Sequence, residues 1–239
     1  MRIKAAKSTK SKSAIEWRCH EPLRLETFSD AVFAFAVTLI IVSLEVPKTF
    51  NELFEAMKGT LSFAACFATL FLIWNSQNLF FRRYGLNDAW TAALNGMLLF
   101  VVLIFAYPLK FLFGLLFSFS DQTSMITEMQ IPDLMLIYGI GYTAIYLLFY
   151  LMYSNAQKRA HELKLNAMEL YETKTIAYLN LICACIGITA IILARLLPLK
   201  YSGLSGFFYF MIPMAYFFWL SYRGRKSKRK FGTRELPAV

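Results

Sequence analysis

Between Arg24 and Pro47 the chain sets acids at both ends of a largely apolar run, with Thr38 about halfway along it. Glu26 and Asp30 come first, no charge follows from Ala31 to Leu44, and Glu45 closes the run. At helical spacing Phe35, Thr38, Val42 and Glu45 fall on one stripe, with Phe28, Ala31 and Ala34 close to it. From Thr27 to Val46 the segment is long enough to cross a hydrocarbon core of about 30 Å as a helix. A spanning helix with a hydroxyl halfway along one face and charges at both ends can line a wet passage. The same pattern suits an ordinary core helix, because one Thr costs little when its hydroxyl bonds back to the preceding turn.

A second polar set lies near one end of the next apolar run, at Trp74, Asn75, Ser76, Gln77 and Asn78, and Asn95 follows early in the third run. In antiparallel spans these groups come to the depth of Ser29 and Asp30. An amide without partners is expensive in lipid, so polar groups gathered at one depth point to hydrogen bonding between helices. The alternative is interfacial decoration, since Trp and polar side chains collect near headgroups in any case. Asp30, in the first turn of its helix, also complements the helix dipole.

No catalytic constellation accompanies these residues. His20 lies in the N-terminal segment and His161 in a polar linker, so neither joins a dyad or a metal cluster at membrane depth. There is no phosphate-cradling Gly-rich loop with its lysine. Cys19, Cys66, Cys183 and Cys185 form no Cys-x-x-Cys pair, and three of them sit in apolar runs as packing residues. The expectation is a non-enzyme without cofactor or resident metal.

The elements that must position the polar residues are membrane helices. The chain of 239 residues is 58% hydrophobic and only 17% charged, against about 25% charged in soluble globular domains, and its mean hydropathy is +0.49. The predicted fold is all-α and polytopic, with six spans: about Thr27 to Val46, Thr60 to Phe81, Ala89 to Phe117 (interrupted by Pro108 and Lys110), Leu134 to Tyr153, Thr175 to Leu197, and Gly203 to Tyr222. A short amphipathic turn (Leu53, Phe54, Met57) falls between the first two. The linker Ser154 to Lys174 has helical periodicity and mixed charge, and reads as a solvated connector. Residues 1–23 and 223–239 read as basic cytoplasmic tails flanking a membrane domain over 24–222, the first lacking the apolar core of a signal peptide. With both termini inside, 20 of the 25 Lys and Arg fall on the cytoplasmic side, as the positive-inside rule requires. The net charge of +10 then suits anionic inner-leaflet lipid and needs no nucleic acid.

Arg24-x-x-x-Phe28-Ser29-Asp30, followed by Ala-Val-Phe-Ala and by a threonine eight residues after the Asp, resembles the transmembrane protein 175 potassium channels. The likeness continues through the Trp74 region, Asn87-Asp88 with Leu94-Asn95, and Pro108. It covers the first half of the chain by motif and the whole by topology. The resemblance implies a homotetramer in the bacterial plasma membrane that passes K⁺ in preference to Na⁺, with the first helix of each subunit lining the pore. Phe35, Thr38 and Val42 would be the constricting positions, with Glu45 near the outer mouth and K⁺ passing transiently by Thr38. Apolar rings gate by dewetting, and a ring of hydroxyls replaces part of a hydration shell. Arg24, Phe28, Ser29 and Asp30 would hold the pore helix against its neighbours, with Trp74, Gln77 and Asn95 as partners.

Two positions depart from the family pattern. Gln77 stands where His is frequent, which removes any pH-dependent part of the network. Phe35 stands where Leu or Ile is usual, which makes a bulkier ring. The competing readings are a secondary transporter, which would need a midplane site and internal repeats that the halves do not display, and an accessory membrane protein in which the polar cluster only fixes packing.

Overall fold

A computed structural model of the chain describes residues 17–18, 21–42, 47–117, 126–198 and 219. Its elements are α1 (Arg24–Val42), α2 (Phe50–Lys58), α3 (Thr60–Tyr84), α4 (Ala89–Phe117), α5 (Ile131–Lys158), preceded by a single 3₁₀ turn, and α6 (Ala167–Leu196). All of these except α2 are long and apolar enough to cross a membrane. The expected sixth span, apart from Trp219, lies outside the described residues, as do Glu45, most of the expected N-terminal tail and all of the C-terminal one.

Several features differ from the sequence-based expectation, beginning with α1, which starts at Arg24 rather than about Thr27 and so has Glu26, not Asp30, in its first turn. Pro108 does not interrupt the third span, because α4 runs through it as one helix of 29 residues. Membrane helices tolerate such a proline when neighbours cover the disturbed turn, and here the Tyr138 hydroxyl of α5 donates to the Pro108 carbonyl at 2.8 Å. The amphipathic turn after α1 is a helix of nine residues, α2. The polar linker is largely helical: α5 continues to Lys158, and α6 starts at Ala167.

Each end has a local cause. Gly85 stops α3 in the left-handed conformation at φ 59°, its N–H bonded to the Phe81 carbonyl, a geometry that glycine adopts without a Cβ penalty. At the start of α6 the Asn166 side chain accepts from the Glu169 amide at 2.8 Å, and the Glu169 carboxylate accepts from the Asn166 amide at 2.9 Å. This reciprocal pair satisfies two helix-end donors at once.

Packing follows residue size. α5 and α6 form the most extensive helix pair. A Cβ at Gly141 of α5 would run into the Phe105 ring, and one at Gly187 of α6 into Thr143 and Tyr142. Small residues let helix backbones approach in lipid, where no hydrophobic force drives them together. α4 packs against α1, α3 and α5, with Leu94, Leu98, Val102, Phe105 and Ala106 buried along it. α1 lies across α3 and α4 at the edge of this bundle.

Candidate functional site

Two faces of α1 have opposite fates. Glu26, Ser29, Phe33, Ala36 and Ile40 repeat at steps of three and four and are buried against the bundle. The other side is open: Phe28 is 60% exposed, Phe35 55% and Val42 72%, and Thr38 lies exposed between the last two. Arg24 is exposed at the first position of the helix. The single chain therefore presents an open, largely apolar face from Phe28 to Val42 with the Thr38 hydroxyl on it.

Thr38 donates that hydroxyl to the Ala34 carbonyl one turn earlier, at 2.8 Å. The bond satisfies its only hydrogen. The oxygen keeps its lone pairs, which is the electronic requirement for meeting a cation.

Behind this face, three helices meet through side-chain amides. Ser29 of α1 donates to the Leu25 carbonyl at 2.8 Å and accepts from Asn95 Nδ2 of α4 at 2.9 Å. Asn95 Oδ1 in turn accepts from Gln77 Nε2 of α3 at 2.7 Å. Ser29 and Asn95 are fully buried and Gln77 nearly so, so each bond forms away from water, where breaking one strands its partner. One residue along, Trp74 Nε1 donates to Asp30 Oδ1 at 2.7 Å. The Ser29, Asp30, Trp74, Gln77 and Asn95 side chains thus lie together, while Arg24 and Phe28 stay outside the network. A groove of about 560 Å³ opens beside it between α1 and α3, walled by Phe33, Phe67, Phe71 and Trp74 with Asp30 at one side.

Two further clusters escaped the sequence reading. At the start of α4, Asp88 accepts from the Thr91 hydroxyl at 2.6 Å and the Thr91 amide at 3.2 Å. Asn155 donates to the same Thr91 hydroxyl oxygen, and Arg159 lies 3.4 Å from the Asp88 carboxylate. Burial pushes the Asp88 carboxyl up, but the two Thr91 bonds and Arg159 outweigh it and hold the group below its ordinary value. The second cluster joins Tyr84, Arg83, Arg18, Glu169, Glu172 and Thr173 around the ends of α3 and α6. The Thr173 hydroxyl donates to the Glu169 carbonyl at 2.7 Å, so at 2.8 Å Tyr84 is the donor to Thr173. The first cluster was announced by Asp88-x-x-Thr91 before an apolar run, and part of the second by Asn166-x-x-Glu169; both are N-cap spacings.

Among the described residues no group of three or more His, Cys, Asp or Glu could hold a metal ion. Comparison with known proteins agrees with the geometry. The family model described as "Endosomal/lysosomal potassium channel TMEM175" matches residues 24–106, the stretch from α1 into α4 that carries the amide network. A Marivirga tractuosa protein named "Potassium channel" is 37% identical over 209 residues, 82% of this chain and 85% of its own. A potassium channel of Chamaesiphon minutus is 29% identical over 93 residues, 36% of this chain and 46% of that one. The solved structure of the potassium channel MtTMEM175, a threonine-to-alanine variant in complex with a Nanobody–MBP fusion protein, matches with a TM-score of 0.79 and 35% identity over 90% of this chain and 97% of that one. A lysosomal potassium-selective channel TMEM175 homologue from Chamaesiphon minutus matches with a TM-score of 0.51 at 21% identity, over 79% of this chain and 96% of that one, and shares the fold. Motif, helix arrangement and near full-length likeness lead to one conclusion: this chain is a multi-pass membrane protein of the TMEM175 family.

Proposed function

We propose that this chain is a potassium-selective channel whose pore is built by α1 from each of four copies. The observation that carries the reading is the division of α1 into a face locked to α3 and α4 through Ser29, Asp30 and the buried Phe33–Ala36–Ile40 seam, and an opposite face left open. A helix held this firmly on one side can present Phe35, Thr38 and Val42 to a central axis without support from that axis. The relatives' names supply the permeant ion, and a closed cyclic assembly supplies the ring.

In that ring, Phe35 and Val42 are apolar constrictions above and below the Thr38 hydroxyls. Water leaves a narrow apolar ring readily, so these constrictions close the path without moving a charge. Four Thr38 oxygens then take over part of the K⁺ hydration shell, since each hydroxyl hydrogen is already engaged with Ala34. Glu45, outside the described residues but on the same stripe in sequence, would concentrate cations at the outer mouth. The protein sits in the bacterial plasma membrane with both termini cytoplasmic, its basic tails against anionic lipid.

Proteoliposomes holding the purified protein under K⁺, Na⁺ and Cs⁺ gradients test this, with wild type beside Thr38→Ala. Cation flux that favours K⁺, and loses that preference in the variant while the oligomer stays intact, is the expected result. Flux with unchanged preference would move the filter off α1. No flux from folded, oligomeric protein would leave an accessory membrane protein.

A further inference from the structure

We infer that Arg18 is a positioning residue for α1, latching the segment just before that helix to the far side of the bundle. The inference rests on the channel reading for its consequence, and on geometry alone for the latch. Arg18 makes an unusual number of bonds for a residue outside any helix. Its guanidinium donates Nη1 and Nη2 to the two Glu169 oxygens at 3.0 and 2.8 Å, a bidentate pairing, and Nε to the Leu163 carbonyl at 2.9 Å. Its backbone N–H donates to the Arg82 carbonyl at 3.2 Å. The neighbouring Trp17 ring lies 4.8 Å from the Arg82 guanidinium carbon.

One partner belongs to α3, which also packs on α1, and the others to the α5–α6 turn and to α6. Arg82 closes α3, Leu163 lies in the turn between α5 and α6, and Glu169 sits in the first turn of α6. α6 packs on α5, whereas α1 packs on α3 and α4. Glu169 is itself fixed, because the same carboxylate closes the capping box with Asn166. Arg18 therefore grips a rigid anchor on the opposite flank of the bundle from α1. Arg83, Glu172 and Thr173 around it are buried, so the pair lies in surroundings where removing one partner leaves the other charge badly placed.

Only five residues separate Arg18 from Arg24, the first residue of α1. At a reach of about 3.5 Å per residue, so short a link transmits the anchor to the helix. The apolar ring positions of α1 attract one another across the axis and favour a collapsed, dry constriction. A tether running to the bundle's far flank opposes that inward movement. Releasing it lowers the fraction of time the channel is open and leaves the width of the open pore, set farther along α1, unchanged.

The test uses the full-length protein, wild type beside Arg18→Ala, Arg18→Lys and Glu169→Gln, the last keeping an oxygen to cap α6. Single-channel recording is expected to give an open probability about three- to tenfold lower in Arg18→Ala and Glu169→Gln, with unitary conductance as in wild type and partial recovery in Arg18→Lys. Hydrogen–deuterium exchange of residues 17–24 is expected to quicken about tenfold in the same two variants. Faster exchange with unchanged open probability would overturn the coupling to α1. Unchanged exchange would overturn the latch itself. Should Arg18→Ala fail to assemble, Glu169→Gln carries both readouts. A wild type that conducts nothing would bring down the channel reading and the coupling with it, while exchange would still decide the latch.

Discussion

Trp74 and Asp30 touch end to end: the indole N–H of α3 meets a carboxylate oxygen of α1 at 2.7 Å, one residue beyond the Ser29 that the α4 amide holds. The two bonds leave α1 in different directions, toward α3 and toward α4, so together they fix its rotation as well as its position. Rotation decides which side chains face outward. A turn of one residue, about 100°, would carry Thr38 off the open face.

Trp74→Phe removes only the donor and keeps an aromatic ring in the groove wall. A hydrogen bond to a charged acceptor contributes about 1.5–3 kcal/mol when sheltered; with Asp30 exposed, about 1 kcal/mol is expected. A double-mutant cycle with Asp30→Asn, followed by thermal unfolding in detergent, measures it. Additive effects of the two substitutions would mean the bond does not couple the helices.

How much of this was legible in the sequence depended on the range of the interaction. The α1 stripe follows from spacing alone, because Phe35, Thr38 and Val42 are related by the helix itself. Gln77 and Asn95 were legible as members of one polar layer, since they lie equally deep in antiparallel spans, but the bond between them depends on which way each helix faces. Arg18 was hidden. It reads as one more base in a basic tail, and its partner Glu169 lies 151 residues away, in a linker whose mixed charge looks solvated. Pro108 misled for a similar reason. Its local effect is to break a helix, and only the packed neighbours keep α4 continuous.

Asn95→Leu is expected to be the most destabilising single change in the amide network. Asn95 both donates to Ser29 and accepts from Gln77, so its loss leaves a buried Gln77 N–H without that acceptor, costing about 2–4 kcal/mol in all. Adding Gln77→Leu to Asn95→Leu removes the stranded group and should recover part of the loss. Unfolding midpoints of the two single variants and the double variant check this; a double variant worse than the sum would contradict it.

Asp88 gives the protein an acid sensitivity of defined sign. Its folded carboxyl is held below its ordinary value, so the stability it contributes is complete above that ordinary value, about pH 4. That contribution falls away as the pH drops through the lower folded value. Asp88→Asn should weaken the protein at neutral pH and converge with wild type as the pH falls below the ordinary carboxyl value and through the lower folded one. Unfolding midpoints across that range measure the convergence, and a constant gap at every pH would assign the loss to the cap's geometry rather than to its charge.

Phe35→Leu separates the pore from the fold. Phe35 is 55% exposed and takes no part in the amide network, so the substitution should change stability by no more than about 0.5 kcal/mol. In the proposed four-copy pore, any effect on current then arises where the four side chains face one another. The aromatic ring is bulkier than a leucine, and a narrower apolar constriction dries more readily. Single-channel conductance of Phe35→Leu should therefore exceed that of wild type, or its closures should shorten, with K⁺ preference preserved because Thr38 is untouched. Currents identical to wild type in both respects would place Phe35 away from the conduction path, and with it the whole face of α1 that it shares with Thr38 and Val42.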